Sequence, residues 1–117
     1  MSTEENKDVV RRWNSPEELW PLELLDEGYA NYSGTTAPWA TLFQGLDEAR
    51  ARFGQILQEN PTFKPIIEDM IAEGDKVAVR LTFYSGGKPF GNAMAFYRLK
   101  GGKIVDDWYC MTRLDEQ

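Results

Sequence analysis

Residues 64–114 read KPIIEDMIAE (64–73), DKVAVRLTFY (75–84), PFGNAMAFYRL (89–99) and KIVDDWYCMTRL (103–114), four strand-like segments joined by short turns. The joints are Gly74-Asp75, Ser85-Gly86-Gly87-Lys88 and Gly101-Gly102. Glycine reaches positive φ without a Cβ clash, so paired glycines suit two-residue hairpin turns. The pattern predicts a four-stranded antiparallel meander. Its last strand carries Asp106, Asp107, Trp108, Tyr109 and Cys110, where acid, aromatic and thiol side chains cluster. Strand alternation puts Val105, Asp107, Tyr109 and Met111 on one face and Ile104, Asp106, Trp108 and Cys110 on the other.

Upstream the periodicity changes. Ser2 with Glu5 fits a capping box opening a short helix, with Val9, Val10 and Trp13 on its apolar side. Ser15-Pro16-Glu17-Glu18 is a second start signal, followed by Leu19, Trp20, Leu22, Leu24 and Leu25, with a kink or restart expected at Pro21. Residues 28–34 (GYANYSG) read as a short strand and 34–41 as loop. After Gly45, Leu46, Ala49, Phe53, Ile56 and Leu57 follow helical spacing while Arg50, Arg52, Gln55 and Gln58 face out, until Asn60-Pro61 ends the helix. Helices grouped on one side of an antiparallel sheet make an α+β fold. A strongly curved sheet with helices across its open side encloses a cavity.

Composition narrows the function classes. The chain has 117 residues, enough for one domain with a real core, and 42% apolar residues, enough to fold. A net charge of −6 argues against nucleic acid and against an anionic membrane face. No window approaches the apolar run that a membrane span needs, and residues 1–15 show no apolar core of a signal peptide. One cysteine permits no internal disulfide and favours a cytoplasmic setting. The chain has no histidine, which removes the commonest general base and zinc ligand, so no metal site is expected.

The stretches KDVVRRW, GLDEARARF, IEDMIAEGDKVAVRLTF and AFYRLKGGKIVDDW resemble the SnoaL-like polyketide cyclases of the nuclear transport factor 2-like superfamily, over most of the chain. The resemblance implies a single SnoaL-like domain over residues 1–117. It also implies a cone-shaped barrel of curved antiparallel sheet with N-terminal helices over its concave side, and an apolar pocket at the wide end. Homodimers through the outer sheet face are frequent in the superfamily, and Trp108 falls on that face. Family members of this type usually end the last strand with Lys-Ile-x-Glu-His-Trp-Asp-x-x-Asp. Here Asp107 stands where histidine is common, Tyr109 replaces the first acid and Thr112 the second. The turn at 85–88 is shorter than the usual insertion, which implies a more open pocket mouth.

On that alignment the Asp107 face lines the cavity, with Leu81 and Phe83 also pointing inward. A carboxyl group beside apolar walls has its charged form destabilised, which raises its pKa toward a range useful for moving protons. Asp107 is therefore the expected acid/base, with Tyr32 and Tyr109 as donors to a substrate oxygen. Trp13, Asn31, Leu81, Phe83, Asn92 and Met111 are the expected ligand-binding residues. Tyr29-Ala30-Asn31 has the Tyr-x-Asn spacing of the water-holding pair of the superfamily's epoxide hydrolases. The acid such a pair would serve is missing from the sequence pattern, and apolar Leu81 and Phe83 speak against epoxide opening. Cys110 has no histidine or lysine beside it and is expected to be a buried, inert thiol.

Two functions stay open at this point. One is cofactor-free proton-transfer chemistry, an aldol cyclisation or isomerisation, on a small apolar, aromatic or polycyclic carbonyl compound. The other is a ligand-binding or assembly domain that has lost the family acid.

Overall fold

A computed structural model describes residues 2–34 and 39–114. Helix α1 (Thr3–Trp13) starts on the capping box read from the sequence: the Glu5 amide donates to Ser2 Oγ at 3.1 Å, and the Ser2 amide to Glu5 Oε1 at 3.0 Å. Strand β1 (Leu25–Ser33) and the short β2 (Thr41–Gln44) come next, then helix α2 (Leu46–Glu59). Strands β3 (Lys64–Glu73), β4 (Lys76–Ser85), β5 (Lys88–Lys100) and β6 (Lys103–Arg113) form the expected meander. Its two-residue turns hold Gly74, Gly86, Gly87, Gly101 and Gly102 at φ between 58° and 81°, the region where a Cβ would be strained.

The six strands lie in the order β2-β1-β6-β5-β4-β3. The sheet is mixed, because β1 runs parallel to β6 while every other pair is antiparallel. A parallel neighbour needs a long crossover, and here the whole stretch from α2 to β5 supplies it. The sheet is curved and open rather than closed, with β2 and β3 as its edges. Both α-helices pack against it, and the core between them holds Val10 and Trp13 of α1, Ala49 and Phe53 of α2, and Tyr29, Val77, Leu81, Tyr97 and Ile104 of the sheet.

Three expectations about the first half of the chain are corrected. The signal at Ser15–Glu18 yields turns and not a second α-helix, and only a three-residue 3-10 turn forms, at Leu22–Leu24. Pro21 disfavours helical backbone at the residue before it, and Trp20 takes φ 54° instead. The first strand starts at Leu25, three residues earlier than its glycine suggested. Part of the supposed loop 34–41 lies outside the described residues, and its far end leads straight into β2, which is too short to show an alternating pattern.

In β6, strict alternation fails near its start. Ile104 is fully buried and Val105 only partly, because the β5–β6 register shifts between Arg98 and Leu99 and absorbs one residue as a bulge. Beyond the bulge the expected parity holds. Cys110 is exposed, not buried, because its parity turns it to the outer face. That face also carries Met94 and Ile71, 65% and 69% exposed, and Phe96, which meets Trp108 edge-on at 5.7 Å. No helix among the described residues is long and apolar enough to cross a membrane.

Candidate active site

Three neighbouring strands deliver polar side chains to one level of the concave face. In the parallel β1–β6 register Asn31 pairs with Asp107, and in the antiparallel β5–β6 register Tyr97 pairs with Asp107. Tyr29, two residues before Asn31, projects from the same face of β1. Asn31, Tyr97 and Asp107 sit in the wall of a cavity of about 280 Å³, and Tyr29 is buried behind it. The other walls are mostly apolar and aromatic, with Trp13 and Trp20 from the N-terminal segment, Phe53 from α2, Leu81 and Phe83 from β4 and Met111 from β6, and Arg52, Asn60 and Arg113 also line the space.

Asp107 is only 6% exposed and Asn31 3%. The Tyr29 hydroxyl donates to Asp107 Oδ2 at 3.0 Å, and Asn31 Nδ2 donates to the same oxygen at 3.3 Å and to the Tyr29 hydroxyl at 2.9 Å. Asp107 Oδ1 and Asn31 Oδ1 are buried with no hydrogen-bond partner among the described residues. A buried polar atom left unpaired is costly, so two adjacent unpaired acceptors in a cavity wall mark a place suited to a ligand's donor group or to a transferable proton.

The charge balance rests on the same contacts. Burial raises the Asp107 pKa from its ordinary 3.8 to about 7, while the bonds from Tyr29 and Asn31 pull it down. Burial, reinforced by the Asp107 charge, pushes the Tyr29 and Tyr97 phenols well above their ordinary value. Burial and then Asp107 also raise half-buried Tyr109, against the opposing pull of Arg52. The phenols therefore stay protonated as donors, and the carboxyl is the group that changes charge near neutrality.

The structure brings Asp107, Tyr109, Trp13, Asn31, Leu81, Phe83 and Met111 to this cavity. Tyr32 and Asn92 lie elsewhere. Tyr32 stacks on Trp108 with ring centroids 5.3 Å apart and planes at 13°, and Asn92 is exposed on β5 in phase with Met94 and Phe96. The acid that the Tyr29-x-Asn31 pair serves is present after all: it is Asp107, 76 positions on from Asn31. Asp106 points the other way and pairs with Arg98, whose Nε and Nη2 stand 2.7 and 2.6 Å from Oδ2. Sequence reasoning missed Tyr97 and Asn14. The signal for Tyr97 was the alternation of Ala93, Ala95 and Tyr97 on β5, small residues leading to one phenol, whereas Asn14, the C-cap of α1, carried none. Among the described residues no three acids or thiols converge as metal ligands.

The sequence profile of the SnoaL-like domain family matches residues 21–107. No curated protein sequence matches the chain. Among solved structures, a protein from Jannaschia sp. CCS1 assigned to the SnoaL-like polyketide cyclases superposes with TM-score 0.74 at 15% identity, over 93% of this chain and 86% of that one. An NTF2-like protein of unknown function from Mesorhizobium loti gives TM-score 0.70 at 20% identity, over 94% and 93%. A protein from Kribbella flavida DSM 17836 assigned as a ketosteroid isomerase gives 0.68 at 20% identity, over 94% and 79%. At these identities the likeness establishes the fold, and function has to be argued from the site.

Proposed function

We propose that this chain, which belongs to the SnoaL-like domain family, is a cofactor-free enzyme that moves a proton at the carbon beside the carbonyl group of a small apolar or polycyclic compound. The observation that carries the reading is the carboxyl of Asp107. It is buried in the wall of a largely apolar cavity, tied down through one oxygen and unpartnered at the other among the described residues, with a pKa of about 7. A general base works best when its pKa lies near the working pH. Oδ2 is held by Tyr29 and Asn31, so Oδ1 is the oxygen positioned to take the proton. The electron pair of the C–H bond then forms the enolate. Returning the proton at another carbon gives isomerisation, and attack of the enolate on a second carbonyl gives aldol cyclisation. The aromatic walls fit flat, apolar rings, and Tyr109 lines the same space.

The test uses α-proton exchange of a bicyclic ketone, 2-tetralone, in deuterated buffer, followed by NMR. The protein should accelerate exchange above the buffer rate, and Asp107→Asn should remove at least about a hundredfold of that acceleration, the usual contribution of a general base. No acceleration by the wild type would favour the alternative, a ligand-binding domain on the same fold. The outer sheet face supports a further expectation, pairing with a second copy. Met94, Phe96, Ile71 and Trp108 make an apolar patch of the kind monomers rarely leave uncovered.

A further inference from the structure

Asp107 is not the only polar group built into the cavity wall. Tyr97 is 2% exposed, lines the cavity and stands beside Asp107 in the β5–β6 pairing. Its hydroxyl oxygen accepts a hydrogen bond from Asn14 Nδ2 at 3.2 Å. The other hydrogen of that amide goes to the Val10 carbonyl, also at 3.2 Å. A carbonyl can only accept, so the Asn14 nitrogen and not its oxygen must face this way, and Tyr97 must be the acceptor. The phenol hydrogen of Tyr97 therefore has no acceptor among the described residues. Tyr29 differs, since its hydrogen is committed to Asp107.

We propose that Tyr97, fixed by Asn14, is the donor that takes the carbonyl oxygen of the ligand whose neighbouring carbon Asp107 deprotonates. The assignment rests on the proton-transfer reading above and adds the residue that holds the negative charge it creates. When Asp107 Oδ1 takes the proton, the C–H pair becomes the new C=C bond and the carbonyl π pair moves onto oxygen. That oxygenate then accepts the Tyr97 hydrogen bond, and no further reactant is needed. A donor already aimed at the developing charge in a water-poor site acts without reorganisation, and losing one such donor typically costs about 10²–10³-fold in rate. The accepted bond from Asn14 polarises the phenol and makes it a stronger donor. Tyr109 is a poorer candidate, because it is half-exposed and a donor shared with water gives less.

The experiment measures affinity for 2-naphthol, a flat hydroxyarene standing in for the enolate, by fluorescence, alongside the 2-tetralone exchange. Tyr97→Phe should weaken naphthol binding at least about tenfold and slow exchange about a hundredfold or more. Asp107→Asn should stop exchange while leaving naphthol affinity unchanged or tighter. Site-specific 3-fluorotyrosine at position 97, a more acidic donor of nearly the same shape, should tighten naphthol. That arm decides the matter if Tyr97→Phe fails to fold, because flat affinity across tyrosine and fluorotyrosine overturns the proposal. Naphthol binding and exchange both untouched by Tyr97→Phe, with Asp107→Asn inactive, overturn Tyr97 alone. Exchange retained in Asp107→Asn overturns the base reading. Wild type that accelerates exchange but does not bind naphthol overturns Tyr97 alone, and wild type that does neither overturns both.

Discussion

The hydroxyl of Tyr29 donates to Oδ2 of Asp107 at 3.0 Å across 78 positions of sequence, and it does so to one carboxyl oxygen only. The contact has two consequences of opposite sign. It stabilises the ionised carboxylate that burial penalises, and it directs a proton to the free oxygen.

The first prediction comes from the burial. The unfolded Asp107 titrates near its ordinary 3.8 and the folded one at about 7. Between those values the folded state binds the extra proton, so stability falls as pH rises through that window. The contribution is fully present below pH 4 and lost by about pH 7, a change on the order of a few kcal/mol. In Asp107→Asn this part of the dependence should vanish, and the variant should be the more stable protein at pH 8. Parallel slopes of urea-derived stability against pH for the two proteins would refute a raised Asp107 pKa.

Much of this arrangement could be read from the chain, and the rest could not for identifiable reasons. Paired glycines fix local backbone, so the meander and its turns were legible. Parity past the bulge put Asp107, Tyr109 and Met111 on one face. The bulge itself left no mark around Val105, since an extra residue in one strand is a property of the pair. The parallel contact of β1 with β6 was invisible for the same reason, and with it the meeting of Tyr29, Asn31 and Asp107. Tyr32 was misplaced by one residue of phase, which in a strand is the difference between cavity and outer face.

Removing the Tyr29 hydroxyl should move the acid, not abolish it. That donor lowers the Asp107 pKa, so Tyr29→Phe should raise it above about 7. The midpoint of exchange rate against pH should shift to higher pH by the same amount, and the carboxyl resonance of Asp107 should titrate with it. Rate at high pH should recover most of its wild-type value. A fall in rate without a shift in midpoint would mean that Tyr29 only positions the strand.

The outer face gives a prediction that needs no ligand. Cys110 is exposed and pairs in register with Met94. If a second copy covers this face, light scattering should give twice the chain mass at micromolar concentration, and thiol labelling of Cys110 should slow as concentration rises. Met94→Glu places a charge in the patch and should yield monomers that label at a concentration-independent rate. Labelling equally fast at all concentrations would leave the face solvent-exposed.

The cavity can be tested by filling it. Ala93 on β5 is 4% exposed, lines the cavity and lies between Leu81 and Met111 on the flanking strands. Ala93→Leu adds three carbons pointing into that space. In a real void the added methyl groups gain burial, up to about 1–2 kcal/mol, and meet little resistance. Naphthol affinity should fall at least about tenfold, because the same volume cannot hold both. In a closed, well-packed wall the same substitution would force side chains off their rotamers and destabilise the protein by about 1–3 kcal/mol. Thermal unfolding of Ala93→Leu therefore separates the two cases by sign: a rise with lost binding means an open pocket beside Asp107, and a fall means that the wall is already packed.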